Sequence, residues 1–430
     1  MMSDLLQQIQ TLQFDDRARA ESLLRAFIVE TFPQLDVTAV ELRPQAVSLN
    51  SFNGFLTLAD GGRLFFKTHT EEDNVIDEYY NAAMLAQAGY PVIQPVHSST
   101  RAGQHLLIYE VIEDPSVFDV AWSLEQGRAD DATLAALAEA QQRADDQLLA
   151  CYRATLADQP AAEVARAPVH QLFYHRLAGG RLERFYGPLP GEAGDDMHIA
   201  LPGGERSLRE IRRLRWTING QRYDETLDDI IRRALDLLDP AGTLDVNPAV
   251  VGHGDAHNGN VFFRAGGADG PELLYFDPAF AGRHHPLLDL TKPLFHNVFA
   301  MWMYFPHVKQ AATRIHMAQD GDRLIVTHDY HLPPLRHMFL TSKVERALLP
   351  TLRDLRRRGW LRPDWRAYLK AALFCCPLLT LNLADGDRFP PEISLLGLVM
   401  AVEMGAESHD MRSLIDRTLD AVEDALNKEE

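Results

Sequence analysis

The apolar residues of this chain follow two different periods, and the period changes near Pro115. From residue 36 to residue 113, short runs alternate apolar and polar positions, as is typical of half-buried strands. Beyond Pro115, long runs repeat every three to four residues, which is the spacing of amphipathic helices. Strands in one part of a chain and helices in another predict an α+β fold, with a small, mostly antiparallel sheet and a larger, mostly helical lobe.

The strand-rich part begins with a hairpin. Residues 52–58 and 63–67 flank Ala59-Asp60-Gly61-Gly62, a turn sequence that favours a tight reversal. One main helix is predicted for residues 77–88, because Gly89 follows it in the position that often ends a helix. Two further strands are predicted for residues 92–96 and 105–112.

Three regions follow from these patterns. Residues 1–35 form a helical extension, residues 36–113 form the sheet lobe, and residues 114–430 form the helical lobe. Gly, Pro and charged residues are concentrated in residues 182–220, which predicts a hairpin or an irregular insert there. The long helices are predicted at residues 132–156, 223–238, 334–358, 365–381 and 408–427.

Composition narrows the classes of partner. The formal charge of −19 disfavours nucleic acid and anionic membrane surfaces, because phosphate groups would be repelled. The longest apolar stretches, residues 371–384 and 393–402, are shorter than the roughly 20 residues that span a bilayer. Residues 1–13 lack the basic and apolar segments of a signal peptide, and their spacing predicts a short amphipathic helix, so we expect a cytoplasmic protein. The sequence leaves the oligomeric state open.

The three cysteines agree with that location. Their spacing fits neither a metal site nor a set of paired thiols, so we expect no disulfides. They are Cys151, Cys375 and Cys376.

The segment from His253 to Asn260 carries the residues best suited to chemistry. Asp255 stands five positions before Asn260, in a loop between two short apolar runs. Phosphoryl transfer to a hydroxyl needs a carboxylate that orients the nucleophile and accepts its proton, together with oxygen ligands for magnesium. Asp255 and Asn260 suit these two roles. A second carboxylate, Asp277, follows the next apolar strand and could complete a magnesium site.

This loop resembles the signature of the aminoglycoside phosphotransferase and choline kinase-like family, whose members are related to protein kinases. The resemblance rests on His253-Gly254-Asp255 and the downstream Asn260. It implies a two-lobe protein kinase-like fold that moves a phosphoryl group from ATP, with GTP as an alternative, to the hydroxyl of a small molecule. Asp255 would be the catalytic base, and Asn260 and Asp277 would bind Mg²⁺. The residues expected to support the loop are His253, His257 and Asp289.

The same resemblance implies a nucleotide site in the sheet lobe. A lysine on a strand would hold the phosphates, and a glutamate on the following helix would pair with that lysine. A turn over residues 48–54 would cover the phosphates, and the strand at residues 106–112 would offer its backbone to the adenine ring. The corresponding residues are Lys67, Glu78, Ser48, Asn50, Ser51, Asn53, Glu110 and Ile112.

Three alternatives remain beside this interpretation. A protein kinase is disfavoured because Arg283-His284-His285, rather than an Ala-Pro-Glu segment, follows Asp277. A metal-dependent phosphoesterase is suggested by several histidines near Asp255, but the rest of its motif set is missing from the sequence. A nucleotide-binding regulator without activity is the third, and the presence of all four key residues speaks against it. Those residues are Lys67, Asp255, Asn260 and Asp277.

The acceptor cannot be identified from the sequence. Kinases of aminoglycosides, amino alcohols, sugars and other metabolites can share such a loop. Aromatic residues after the loop could line an acceptor pocket by stacking, although a helical core explains them equally well. They are Phe295, Phe299, Trp302, Tyr304 and Phe305.

Overall fold

The chain divides into two compact units in the computed structural model. The first unit combines Met1–Pro115 with Leu274–Ala281, and the second combines Ser116–Leu273 with Gly282–Glu430. Most strands of the first unit lie in one antiparallel sheet, and the second unit is mainly helical, so the predicted α+β class is confirmed. The structure describes residues 2–43, 51–69, 81–99, 101, 106–242, 245–267 and 270–428.

The first unit is built on a five-stranded antiparallel sheet with the order β1-β2-β3-β5-β4. Its strands are β1 Val37–Leu42, β2 Ser51–Leu58, β3 Arg63–His69, β4 His97–Ser99 and β5 Leu106–Glu110. Its helices are α1 Met2–Asp15, α2 Arg17–Thr31 and α3, described over residues 81–87. The predicted hairpin is confirmed as β2 and β3, which pair from Ser51↔His69 to Thr57↔Arg63.

The N-terminal helices belong to the core of this unit. We predicted residues 1–35 as a separate extension, but Leu24, Phe27 and Ile28 of α2 are buried in the same cluster as Phe66 of β3. Burial of these side chains stabilises the unit by roughly 2 kcal/mol each. An apolar helix face next to a sheet has to be covered, which is why the extension packs rather than projects.

Residues 274–281 belong to the first unit, whereas the prediction placed Asp277 in the helical lobe. Tyr275 forms a bridge with Val92, and its N–H donates to the carbonyl of Pro91 at 2.7 Å. These backbone bonds bring the segment into the first unit. The strand predicted at residues 92–96 is reduced to this bridge, and the regular strand β4 begins at His97.

The second unit contains most of the helices. The predicted helix at residues 132–156 is confirmed as α5, whereas that at 334–358 is divided by a π-helical turn at Val344–Leu348. The helices are α4 Val117–Glu125, α5 Asp131–Thr155, α6 Ala161–Val164, α7 Tyr174–Ala178, α8 Arg181–Tyr186, α9 Leu208–Ile211, α10 Leu227–Leu238, α11 Pro286–His296, α12 Met301–Tyr304, α13 Pro306–Ala312, α14 Pro334–Lys343, α15 Leu349–Arg357, α16 Trp365–Leu379, α17 Pro391–Gly405 and α18 Leu414–Asn427. None of the described helices is long and apolar enough to cross a membrane.

Small sheets accompany these helices. The sheet β14-β11-β6 leads into the loop at residues 253–260, and the sheet β10-β9-β16-β15 was not predicted from the sequence. A hairpin of β7 and β8 lies in the insert at residues 182–220. The strands are β6 Ala157–Asp158, β7 His198–Leu201, β8 Gly204–Ser207, β9 Arg215–Ile218, β10 Gln221–Tyr223, β11 Pro248–Gly252, β12 Val261–Gly267, β13 Gly270–Tyr275, β14 Gly282–His284, β15 Ile315–Asp320 and β16 Arg323–His328.

Candidate active site

The loop between β11 and β12 is tied to helix α11 by one buried carboxylate. Oδ1 of Asp289 accepts the backbone N–H of Gly254 at 2.5 Å and lies 3.1 Å from Nε2 of His284. Oδ2 accepts the hydroxyl of Tyr152, also at 2.5 Å. Both oxygens of Asp289 are therefore bonded, and the bond to Gly254 fixes the backbone one residue before Asp255.

Two glycines make this approach possible. Gly254 has a φ of +78°, a conformation that side chains of L-residues rarely adopt. At Gly252, a Cβ atom would lie 2.6 Å from Oδ1 of Asp289 and 2.6 Å from Nε2 of His284. A larger residue at either position would push the loop away from its carboxylate support.

The carboxylate of Asp255 is buried on one side and open on the other. Oδ1 is buried and has no hydrogen-bond partner among the residues that the structure describes. Its cationic neighbour is Nζ of Lys292, at 3.6 Å, while Oδ2 lies 3.9 Å from Nε2 of His257. The side chain keeps 15% of its surface exposed, so Oδ2 is the oxygen that a ligand can reach.

Charged neighbours keep Asp255 ionised. Burial alone would raise the pKa of this carboxyl group, but the positive charge of Lys292, followed by His257 and Arg176, outweighs it and lowers the pKa. The pKa of Asp289 is also lowered, because bonds to His284, Tyr152 and Gly254 outweigh the effect of burial. Both groups therefore carry a negative charge at neutral pH.

The end of the loop positions Asn260. Its Nδ2 donates to the backbone carbonyl of Asp255 at 3.0 Å, which leaves Oδ1 as the atom that could bind a cation. His257 begins the 3-10 turn Asn258–Asn260, and its Nδ1 accepts the N–H of Gly259 at 3.0 Å. The backbone N–H of Asn258 donates to Oδ1 of Asn297 at 2.7 Å. His257 thus contacts the loop backbone, and His253 is fully buried at the loop's start.

In the first unit, Lys67 and Asp277 form an ion pair. Nζ of Lys67 lies 2.6 Å from Oδ1 of Asp277, with side chains that are 16% and 41% exposed. Asp277 has a φ of +55°, in the left-handed region that aspartate tolerates better than most residues. The chain then turns, since the N–H of Ala281 donates to the carbonyl of Pro278 at 3.0 Å. This turn presents the Asp277 carboxylate beside Lys67.

The structure describes some of the other residues predicted for the nucleotide site. Asn53 lies opposite Lys67 in the β2–β3 register, so the two side chains share one face of the sheet. Residues 51–54 are part of strand β2, so the covering turn predicted over residues 48–54 is wrong for this half. Glu110 is the last residue of β5, and Ile112 follows the strand. Glu78, Ser48, Asn50 and the side chain of Ser51 lie outside the described residues.

Sequence reasoning missed Lys292, which lies next to Asp255 in the structure. A signal was available in the helical spacing. Asp289, Lys292 and His296 are three and four residues apart on α11, so they lie on one face of the helix. Asp289 was predicted to support the loop, so the helical spacing could also have placed Lys292 and His296 on the face of α11 that contacts the loop.

The two predicted magnesium ligands, Asn260 and Asp277, lie in different units, and each offers an oxygen atom. No cluster of three or more His, Cys, Asp or Glu that could hold a metal occurs in the described part of the chain. Magnesium in phosphoryl-transfer sites is held by one or two protein oxygens together with the phosphates of the substrate. The amide oxygen of Asn260 and the half-exposed carboxylate of Asp277 are ligands of this kind.

Comparisons with known proteins identify similar chains only among solved structures. No protein-family model matches this chain, and no curated protein sequence matches it. An amicoumacin kinase solved with AMP-PNP and Ca²⁺ is 14% identical, with a TM-score of 0.45, covering 89% of this chain and 95% of that one.

Two further solved structures each match 88% of this chain. A thermostable mutant of aminoglycoside phosphotransferase APH(4)-Ia is 12% identical, with a TM-score of 0.44, covering 88% of this chain and 97% of that one. A fructosamine-3-kinase from Thermobifida fusca, described as putative, is 16% identical, with a TM-score of 0.36, covering 88% of this chain and 98% of that one. All three of these structures are named as kinases or phosphotransferases.

Proposed function

We propose that this protein transfers the γ-phosphate of ATP to a hydroxyl group of a small-molecule acceptor. The observation that carries the proposal is the Asp255 carboxylate, which has one buried oxygen beside Lys292 and one reachable oxygen. An ionised carboxylate held in this way can orient a hydroxyl and accept its proton as the hydroxyl oxygen bonds to the γ-phosphorus and the bond from that phosphorus to the departing ADP breaks. The hydrogen bonds that Asn260, Asn297 and Asp289 make with the loop backbone keep the loop in place for that step.

The roles of the individual residues follow from their chemistry. Asp255 accepts the hydroxyl proton through Oδ2. Lys67 supplies a positive charge to the nucleotide phosphates, and Asn53, on the same sheet face, adds a polar group. Asn260 and Asp277 would hold Mg²⁺, which, when bound, offsets the negative charge that is spread over the transferring phosphoryl group. No covalent intermediate on the enzyme is needed.

The proposed nucleotide site includes further interactions that the sequence resemblance implies. They are the pairing of Lys67 with Glu78, the contributions of Ser48, Asn50 and Ser51, and the use of the backbone at Glu110 and Ile112 for adenine. We propose ATP as the main co-substrate, with GTP as an alternative, and a cytoplasmic location. The acceptor class includes aminoglycosides, amino alcohols and sugars, all of which carry hydroxyl groups.

A nucleotide-consumption screen tests the proposal. Purified protein with Mg²⁺ and ATP or GTP is incubated with pools of aminoglycosides, amino alcohols, sugars and nucleosides, and the Asp255→Ala variant is tested in parallel. We expect one pool to stimulate consumption by the wild type and not by the variant. Equal consumption by the Asp255→Ala protein would contradict the role of Asp255. Nucleotide binding without turnover in any pool would favour a non-catalytic regulator.

A further inference from the structure

Lys292 is a buried charge on the face of α11 that supports the loop. It is 3% exposed, and its Nζ lies 3.6 Å from Oδ1 of Asp255. Three residues earlier on the same helix, Asp289 holds the backbone of Gly254. The helix therefore contacts the loop twice. The side chain of Asp289 accepts a backbone N–H of the loop, and Lys292 lies beside the carboxylate of Asp255. The contact with Gly254 fixes the position of the backbone next to Asp255, and a positive charge beside Oδ1 can fix the orientation of the Asp255 carboxylate.

The position of the Lys292 amine is itself fixed by two further side chains. Nζ lies 3.2 Å from Nε2 of His296, and Nδ1 of His296 lies 2.8 Å from the hydroxyl of Tyr304. An ammonium group only donates, so Nε2 must be the acceptor and the ring proton must be on Nδ1. Burial, together with the charge of Lys292, lowers the pKa of His296 well below its usual range, which keeps the ring neutral. The chain Tyr304, His296, Lys292 therefore has one consistent arrangement of protons.

Other groups near Asp255 do not duplicate this contact. Arg176 of α7, the loop residues His253 and His257, and also Tyr304 and Cys376 interact electrostatically with the carboxylate. Of these, His257 faces the other oxygen, Oδ2, at 3.9 Å. Among the described residues, Lys292 is the cation within ion-pair distance of Oδ1.

We propose that Lys292 is a positioning residue for Asp255, which holds Oδ1 in the protein interior so that Oδ2 is presented to the acceptor hydroxyl. His296 and Tyr304 support it by fixing the ammonium group. This inference rests on the proposed function, because it concerns the same carboxylate. A lysine suits the task since its ammonium is a point charge that attracts one oxygen without the two-point contact that arginine makes with a whole carboxylate.

The test compares two buried lysines of the second unit. Lys292→Met removes the charge beside Asp255, and Lys343→Met removes a similarly buried charge beside Asp145, a pair with no described contact to the loop. Turnover is measured per folded protein with Mg²⁺, ATP and the acceptor found in the screen, or with water as the acceptor if none is found. We expect Lys292→Met to lower kcat about 100-fold, because a displacement of about 1 Å at a reacting group has an effect of that size. The KM for ATP should change less than about threefold.

Two further variants keep the test decisive. Lys292→Arg should restore part of kcat, because a cation returns beside Oδ1. If Lys292→Met does not fold, Tyr304→Phe replaces it, because this change removes only the hydroxyl that contacts His296 and should lower kcat about threefold. A kcat within twofold of wild type in Lys292→Met, or in Tyr304→Phe when the lysine variant is unfolded, would overturn the inference. An equal loss of kcat in Lys343→Met would overturn it too, because the effect would then be structural.

The outcomes separate this inference from the proposed function. Asp255→Asn is assayed in the same series. Loss of turnover in Asp255→Asn with full turnover in Lys292→Met contradicts only the role of Lys292. Full turnover in Asp255→Asn contradicts the proposed function and the inference that rests on it.

Discussion

Two aspartates of the second unit, Asp145 and Asp255, each lie beside a buried lysine, and the bonding of their oxygens differs. Asp145 is completely buried and accepts Nε2 of Gln141 at 2.9 Å, Oγ of Ser342 at 2.7 Å and the ammonium of Lys343. Every feature of this cluster lowers the cost of burying a charge. Asp145 therefore has the surroundings of a structural residue that joins α5 to α14.

Asp255 has the opposite surroundings. No side-chain hydrogen bond to its Oδ1 is found within the described residues, and Lys292 stays at 3.6 Å. A buried polar atom without a partner is uncommon in folded proteins and tends to mark a site of function. The contrast teaches that burial and a nearby lysine do not distinguish a structural carboxylate from a reactive one. Under the proposed function, the structural carboxylate and the catalytic base differ in the number of hydrogen bonds that they already accept.

The largest effects should come from exchanging the two aspartates for asparagine. Asp145→Asn should lower the free energy of unfolding by about 3 kcal/mol, because it leaves Lys343 buried without a counter-charge. Asp255→Asn should cost less, about 1 kcal/mol. Lys292 also loses its counter-charge, but the two groups are 3.6 Å apart, no hydrogen bond to Oδ1 is lost, and a neutral amide costs less to bury than a carboxylate. Turnover should show the reverse, with a loss of about 1000-fold in Asp255→Asn and none in folded Asp145→Asn. Urea unfolding and steady-state kinetics check both. A stability loss in Asp255→Asn as large as in Asp145→Asn would break the comparison.

A smaller effect should appear on acidification, at the start of the helix that supports the loop. His285 caps α11, with Nδ1 accepting the N–H of Leu287 at 3.2 Å. Burial, followed by the charge of Arg362, lowers the pKa of His285 to about 3. Between the ordinary histidine pKa of about 6.5 and this value, the unfolded chain binds a proton that the folded chain does not. The free energy of unfolding should therefore fall by about 1 kcal/mol for each unit by which the pH is lowered in that window.

Urea unfolding between about pH 7 and about pH 5 measures this slope. His285→Asn is the matched variant, because asparagine can also cap a helix but does not titrate in this range. We expect its stability to depend less on pH than that of the wild type. An identical slope in the two proteins would show that the imidazole of His285 is not kept neutral by the fold.

The smallest effect should come from Tyr152→Phe. This change removes one bond to Asp289 and leaves those from Gly254 and His284, so we expect a loss of about 1 kcal/mol in stability. Because Asp289 holds the loop, kcat should fall a few-fold as well. Tyr186→Phe is the control, since the Tyr186 hydroxyl donates to the carbonyl of Leu378 at 2.7 Å, outside the loop contacts. A decrease in kcat of equal size in both variants would contradict a specific effect on the loop.

The sequence predicted the features that depend on local pattern. The hairpin of β2 and β3 followed from alternation around a glycine-containing turn, and α5 followed from helical spacing. Asp255 and Asn260 could be paired because they are five residues apart in one loop, and the structure joins them through the hydrogen bond from the Asn260 side chain to the Asp255 carbonyl. Local spacing is enough in such cases.

Features that depend on distant pairing were not predicted. Strand β16 pairs in parallel with β9, more than a hundred residues earlier, so no local signal specifies this sheet. The contact of Lys292 with Asp255 likewise depends on how α11 packs against the loop. The segment with Asp277 joins the first unit through backbone hydrogen bonds of Tyr275 with Pro91 and Ile93, which a sequence pattern does not encode.

The most direct test of the central claim follows the γ-phosphate itself. Wild type and Asp255→Asn are incubated with Mg²⁺ and ATP labelled on the γ-phosphate, together with the acceptor found in the screen, and nucleotide affinity is measured in the same samples. Our account predicts that the label appears on a hydroxyl of the acceptor with the wild type only, while both proteins bind ATP with similar affinity. Transfer of the label by Asp255→Asn at the wild-type rate would contradict the account.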